Sequence, residues 1–325
     1  MPSADVLLVT LGGTAGLCEA DAELAASLRR AGATVVEAPV ARPREWRTFA
    51  LIELAWARNA RAAARAALVE HSPRAILYSS TTAALLGPAP GAIRFDAPAA
   101  GNRPGRHGLW QRPVERRRFA ASPLLVPWSE GGLAEAPRPH ADALVVPVPV
   151  EPSGPLVPWE QRDIAAITYG ANPHKKGLDR VMEAWSEHAS GEQLVVAGLA
   201  GFETDDVRFT GMLPREEYRA LLRHARVFIA APRREDYGIA QLEALADGCV
   251  LVTTPSSGPY AALPLARTLD PRAVSTDLAS ALRSTLDHPI PGYPERAAEA
   301  LRPWRREVID RVVREQLLPR LASRP

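Results

Sequence analysis

Glu235-Asp236-Tyr237-Gly238-Ile239-Ala240-Gln241-Leu242-Glu243-Ala244-Leu245-Ala246-Asp247-Gly248 is the stretch whose reading decides the fold. It follows Val227-Phe228-Ile229-Ala230-Ala231, an apolar run with the length and composition of a buried strand, and it holds a glycine ahead of a helical pattern. Strand, glycine turn and helix are the repeating unit of a parallel sheet wound with helices. Gly238 lets backbone amides approach a ligand, and the unpaired N–H groups at the helix start, Ile239 and Ala240, favour an anion such as a diphosphate. Glu235 precedes that start and can accept hydrogen bonds from ligand hydroxyls. Glu243, just over one turn inside, can reach a second pair. Taken without their surroundings, the two glutamates are equally well ordinary carboxylates on a helix surface.

The same grammar extends in both directions. Asp5 to Thr10 reads as a strand, Leu11-Gly12-Gly13-Thr14 as a turn, Glu19 to Arg30 as a helix and Thr34 to Glu37 as a second strand. A helix over Phe49 to Glu70 follows, then strands at Arg74 to Tyr78 and Ala92 to Phe95, a helix at Val114 to Ala121 and a strand at Leu124 to Pro127. Pro147, Pro149, Pro152, Pro155 and Pro158 crowd a stretch without helical period, which reads as a semi-rigid connection between two domains. Beyond it come a strand at Ile164 to Tyr169, a helix at Leu178 to Ala189, strands at Gln193 to Gly198 and Val207 to Gly211, and a helix at Arg215 to His224. The stretch quoted first closes this series, with a strand at Cys249 to Thr253 behind it. A last helix around Trp304 to Leu318 carries Val308, Ile309, Val312 and Val313 at helical spacing.

The totals are consistent with this order. A chain of 325 residues suits two domains, and 46% hydrophobic with 23% charged residues is the composition of a globular protein. The opening residues lack the basic start and apolar core of a secretory signal, and no run approaches 18 apolar residues, so a cytoplasmic location is expected. Cys18 and Cys249 have no metal-ligand spacing. The net charge of +2 hides a cluster, Arg103, Arg106, Arg112, Arg116, Arg117 and Arg118 with His107 among them, suited to a phosphate or to peripheral contact with an anionic inner membrane face. A solvated loop and helix face explains the cluster equally well. Nucleic acid is not expected, because the overall charge is near neutral and no aromatic residues are interleaved.

The quoted stretch resembles the glutamate, seven residues, glutamate signature of the family-four retaining glycosyltransferases of the GT-B fold, the glycosyl transferases group 1 type. Tyr169-Gly170 with Lys176-Gly177-Leu178-Asp179 and Ala184-Trp185 is similar to that family's glycine loop, lysine–glycine pair and following helix. Val196-Ala197-Gly198 and Val207 to Pro214 are similar to its stretch beneath the nucleotide base, so the resemblance runs from 164 to 260. In the first half, Gly12-Gly13 before a helix and Phe119 to Glu130, with Ser129 closing a strand, fit more loosely. Two departures stand out: Ala171 where the family often has arginine, and Pro232 where it commonly has serine. Lys175 or a first-domain arginine is then the stand-in cation.

The resemblance implies an α/β chain of GT-B architecture, two Rossmann-like doubly wound domains facing a cleft. Residues 1–152 form the acceptor-side domain, 153–305 the nucleotide-sugar domain, and 306–325 a helix crossing back to the first. The expected donor-binding residues are Gly12, Gly13, Gly170, Asn172, Lys175, Lys176, Gly211, Met212, Glu235, Tyr237, Gly238, Ile239, Ala240 and Glu243. Glu235 and Lys176 are the expected catalytic residues, with Asp96 and His107 as candidates for positioning the acceptor, each open to a purely structural reading. No Asp-any-Asp triplet is flanked by strand signals, so no metal and no cofactor are expected beyond a UDP- or GDP-linked sugar as co-substrate. The acceptor would be a glycan, a lipid-linked sugar or a small molecule. Nucleotide-sugar epimerisation, phosphorolysis on the same fold, or a non-catalytic sugar-nucleotide-binding protein are the rival readings. An NAD-dependent reductase lacks its spaced glycine fingerprint before Glu37.

Overall fold

The computed structural model describes residues 4–44, 48–140, 142–188 and 191–323. Met1-Pro2-Ser3 and Ala189, the expected end of the helix begun at Leu178, lie outside the described residues. The chain divides into two compact units, Met1–Pro149 with Arg306–Pro325, and Val150–Arg305.

The first unit is built on five strands, β1 (Val6–Thr10), β2 (Val35–Pro39), β3 (Ala75–Tyr78), β4 (Ala92–Phe95) and β5 (Leu125–Pro127), all parallel in the order β2-β1-β3-β4-β5. A parallel sheet is covered on both faces, so its strands are apolar at successive positions. In β1, Leu7 and Val9 enter a core with Tyr78, Ile93 and Phe95, while Val6 and Leu8 enter another with Leu24 and Leu28 of the Ala15–Arg30 helix. Ile309, Val313, Leu317 and Leu321 of the last helical segment complete that second core. Asp310 anchors the segment, accepting from the Ser27 hydroxyl and, at 2.7 and 2.8 Å, from Arg30. The segment begins at Arg306, after a 3-10 turn over Arg302–Trp304, and passes through a π-helical turn at Val313–Leu317.

The second unit repeats the theme with β6 (Ile164–Tyr169), β7 (Leu194–Ala197), β8 (Val207–Gly211), β9 (Ala225–Ala230) and β10 (Val250–Thr253), parallel in the order β10-β9-β6-β7-β8. Parallel neighbours are usually joined through a helix. The helices Pro173–Lys176 and Leu178–His188 join β6 to β7, whereas β7 passes to β8 through a loop without one. Helices Ala262–Leu269, Leu278–Asp287 and Tyr293–Ala300 fill a stretch to which the sequence pattern assigns no element; each is short and two contain proline.

The proline-rich stretch is tied down at its second-unit end. Asp247 Oδ1 accepts from the Ser153 amide at 2.8 Å and its hydroxyl at 2.9 Å. Arg162, almost fully buried, donates to the carbonyls of Val157, Ala225 and Asp247 at 3.0, 2.6 and 3.0 Å. Three carbonyl partners satisfy a guanidinium that burial would otherwise leave costly.

The arginine cluster of the first unit divides by partner. Arg103 donates to Glu53 at 3.1 Å, Arg112 to the Gly105 carbonyl at 2.8 Å, and Arg118 to the Ala89 carbonyl at 3.2 Å, whereas Arg106, Arg116 and Arg117 are exposed. Glu115, on the same helix and buried, accepts from the Ala99 amide at 2.8 and 2.9 Å. Burial raises its carboxyl from 4.5 to about 7, against the opposing pull of the Ala99 amide, the Thr81 hydroxyl and Arg103. A carboxyl raised above its unfolded value favours folding fully below about pH 4.5, and that contribution is lost as pH rises through about 7. Replacing Glu115 with Gln therefore raises stability relative to the parent increasingly from pH 5 to pH 8, by up to ~3 kcal/mol. Melting curves across that range check it; a parent–variant difference independent of pH contradicts the assignment.

Candidate functional site

In the second unit, β6 leads to β7 and β8 on one side, and the chain then returns to place β9 and β10 on the other. The strand order reverses between β6 and β9, and at such a reversal the loops beyond the carboxyl ends diverge and leave a crevice. The loop after β6 carries Gly170 to Gly177 and the loop after β9 carries Ala231 to Gly238, the two densest groups of expected site residues.

The two loops are locked together. Asn172 caps the short Pro173–Lys176 helix through a bond from the Lys175 amide at 3.1 Å, and Gly177 ends it with φ +64°. A Cβ on Gly177 would lie 1.9 Å from the Ala231 carbonyl oxygen, so only glycine permits this approach. The Arg233 amide donates to the Lys175 carbonyl at 3.1 Å, and the Arg233 guanidinium holds Asp179 at 2.9 and 2.6 Å. Lys176 Nζ then lies 2.6 Å from Glu235 Oε2, with the lysine side chain 22% exposed and the glutamate 5%. Gln241 donates to the same oxygen at 3.0 Å. Beside this pair, Lys175 donates to Asp236 at 2.8 Å, and Arg234 to its other oxygen at 2.8 Å. Burial pushes the Asp236 carboxyl up, but Lys175 and Arg234 outweigh it and hold it below the usual carboxylate range.

The Ile239–Ala246 helix starts next to these charges. Its N-cap is Gly238, at φ +92° and without a side-chain capping bond. A Cβ there would lie 2.9 Å from the Tyr260 ring, so the turn is packed from beneath. The Ile239 and Ala240 amides stand in the first turn, where helix N–H groups have no helical partner and carry the positive end of the dipole. A cation, two carboxylates and a helix start in one crevice form a site for an anion that also bears hydroxyl groups.

Other expected residues are placed differently. Tyr237 is buried and its hydroxyl accepts from the Trp304 indole at 3.1 Å, so its side chain anchors the loop. Gly170 abuts Val196, with 3.1 Å left for a Cβ. Gly211 adopts φ +67° at the end of β8, and Met212 behind it is 67% exposed. Glu243 is buried and paired with Arg215 and Arg219 of the Arg215–His224 helix. Gly12, Gly13, Asp96 and His107 belong to the first unit: the glycines follow β1, Asp96 follows β4 with its carboxylate on the Ala97 amide at 2.7 Å, and His107 is exposed in a 3-10 turn over Gly105–Gly108. A cavity of about 650 Å³ lies at the opposite end of the second sheet, lined by Asp163, Glu192, Arg208 and His224, away from this chemistry. Among the described residues no His, Cys, Asp and Glu side chains cluster as a metal site, and no helix is long and apolar enough to cross a membrane.

Sequence reasoning missed Gln241, Arg215 and Arg219. Gln241 follows Glu235 by six positions in the quoted stretch, a spacing that puts it over the helix start, and was legible there. The arginines pair with Glu243 from 28 and 24 positions away, with no local signal.

Residues 164–288 match the family described as Glycosyl transferases group 1. No curated protein sequence matches the chain. Among solved structures, a sucrose-phosphate synthase from Thermosynechococcus elongatus superposes with a TM-score of 0.69 at 13% identity, covering 99% of each chain. A trehalose-6-phosphate protein from E. coli bound with UDP-2-fluoro glucose superposes at 0.68 and 12% identity, covering 96% of this chain and 98% of that one. WaaG, a glycosyltransferase involved in lipopolysaccharide biosynthesis, superposes at 0.63 and 15% identity, covering 98% and 97%. At these identities the likeness is one of fold, the GT-B fold.

The loop contact yields a direct test. Gly177→Ala meets both the left-handed backbone and the Ala231 carbonyl, and is expected to cost about 3 kcal/mol or more, against about 1 kcal/mol for Gly211→Ala, whose Cβ meets nothing within 4 Å. Urea denaturation of both variants checks this; equal losses would mean that the 177–231 approach is not a constraint.

Proposed function

Because residues 164–288 match the glycosyl transferases group 1 family and the chain has the GT-B fold, we propose that the protein is a retaining glycosyltransferase that takes a sugar from a nucleoside-diphosphate sugar without a metal ion. The observation that carries this reading is the Lys176–Glu235 contact of 2.6 Å at the β6/β9 reversal, directly before the uncapped start of the Ile239–Ala246 helix. The E. coli neighbour bound with UDP-2-fluoro glucose supports a nucleotide-sugar donor on this fold.

In this reading the donor diphosphate lies over the Ile239 and Ala240 amides with Lys176 against it, and Glu235 accepts from hydroxyls of the transferred sugar. The bond between the anomeric carbon and the diphosphate oxygen breaks while charge gathers on the departing phosphate. Fixed amide dipoles and an ammonium stabilise that charge without reorganising. The acceptor hydroxyl adds on the face the diphosphate leaves, its proton passes to a diphosphate oxygen, and configuration is retained. No strong protein base is needed. Lys175 supplies the second cation in place of the arginine missing at Ala171. Asp96 and His107 of the first unit position the acceptor, which we place among glycans, lipid-linked sugars and small molecules; we place the protein itself in the cytoplasm, with the exposed Arg106, Arg116 and Arg117 available to an anionic membrane face.

Incubation with a panel of UDP- and GDP-sugars and mixed acceptors, followed by proton NMR of the anomeric centre, is expected to show acceptor-dependent transfer with retention. Lys176→Ala and Glu235→Gln should each lower kcat by about 10²–10³-fold. Inverted product, or turnover unchanged in both variants, contradicts the proposal; donor conversion without an acceptor would mark an epimerase.

A further inference from the structure

The cavity of about 650 Å³ at the far end of the second sheet lies between the sheet and the Arg215–His224 helix. Strand register puts Ile167, Val195 and Arg208 side by side, and alternation along β6 adds Ala165 and Tyr169 to the same face. The helix covers that face, since the Tyr169 ring meets Tyr218 of the helix at 5.6 Å. Toward the last turn of the helix the lining is Ala165 and Val195 on the sheet and Ala220 and Leu221 on the helix, and the two alanines leave the gap unfilled. The space that remains is the size of a small-molecule site.

Arg208 stands in the wall of this cavity, half-buried. Elsewhere in the second unit Arg162, Arg219, Arg226, Arg233 and Arg234 each donate to a carbonyl or a carboxylate. The Nε of Arg208 is closed off from water with no hydrogen-bond partner among the described residues. A buried donor on a charged group is costly when it lacks a partner. The acidic residues of the lining stand beside other bases, Asp163 3.3 Å from His224 and Glu192 3.1 Å from Arg226.

We propose that this cavity is a binding site for a small organic monocarboxylate with an apolar body, separate from the donor crevice. The carboxylate pairs with the Arg208 guanidinium, which no partner braces at Nε and which turns to present parallel N–H groups to it. The apolar body lies against Ala165, Val195, Ala220 and Leu221 and leaves water there. Asp163 and Glu192 in the same lining disfavour a second negative charge, so a phosphate dianion is the poorer ligand. The site is independent of the reaction at the β6/β9 reversal, and its failure would leave that reading untouched.

The test is titration calorimetry of the full chain with hydrocinnamate, indoleacetate and octanoate, each beside its own primary amide, and with benzyl phosphate. At least one carboxylate is expected to bind with a Kd below about 1 mM, and its amide and benzyl phosphate at least about tenfold more weakly. Arg208→Gln should weaken that carboxylate about tenfold or more, and Arg208→Lys should recover part of the loss. Ala220→Phe, which puts a ring into the space, tests the location independently of Arg208 and should abolish binding. Melting curves establish that each variant folds. Absence of binding by all three acids, an amide that binds as well as its acid, or affinity unchanged in Arg208→Gln or in Ala220→Phe overturns the proposal. Benzyl phosphate binding more tightly than the acids overturns the choice of a monocarboxylate.

Discussion

The reversal of strand order between β6 and β9 is the constraint on which the site depends. Two loops leave the sheet side by side there, and Gly177 brings one against the carbonyl of Ala231 in the other. Lys176 sits one position before that contact and Glu235 four positions after it, so the approach of two backbones places an ammonium and a carboxylate 2.6 Å apart. Neither side chain could find the other from its own loop alone. The Arg233–Lys175 bond and the Arg233–Asp179 pair brace the same junction from outside.

Charge within the crevice is arranged in pairs: Lys176 with Glu235, and Lys175 with Asp236. Such pairing keeps half-buried ions from carrying the full cost of desolvation, and it fixes their positions ahead of any ligand. The uncapped helix start is a donor array without a matching acceptor in its own cap, which is why an anionic ligand fits beside it. The chemistry proposed for the site draws on these fixed groups, whereas the role proposed for Asp96 and His107 concerns loops of the first unit.

Much of the fold was legible because a parallel sheet buried on both faces writes its inner strands as short apolar runs, as in β1, β7, β9 and β10, while β2 and β8, with Glu37 and Arg208 among them, were legible from their place in the alternation of strands and helices. The glycine at 238 and the glutamates eight positions apart were legible for the same local reason. What escaped was non-local or poorly patterned. The helices between Ala262 and Ala300 are short, with Pro264 and Pro294 inside the pattern. The proline-rich stretch reads as a semi-rigid connection, but nothing local announces that Asp247 and the buried Arg162 fasten its second-unit end. Tyr237 has the position of a ligand residue and the packing of an anchor, decided by Trp304, which no window around residue 237 contains. The pairing of Glu243 with Arg215 and Arg219 likewise has no signal in any window around residue 243.

The central claim is that the Lys176–Glu235 junction and the start of the Ile239–Ala246 helix hold the donor together. A crystal structure of the chain with the nucleoside diphosphate it binds tests this most directly. The account predicts diphosphate oxygens within hydrogen-bond distance of the Ile239 or Ala240 amide and of Lys176 Nζ. A diphosphate bound elsewhere, with Lys176 still 2.6 Å from Glu235 and the helix start untouched, would contradict it.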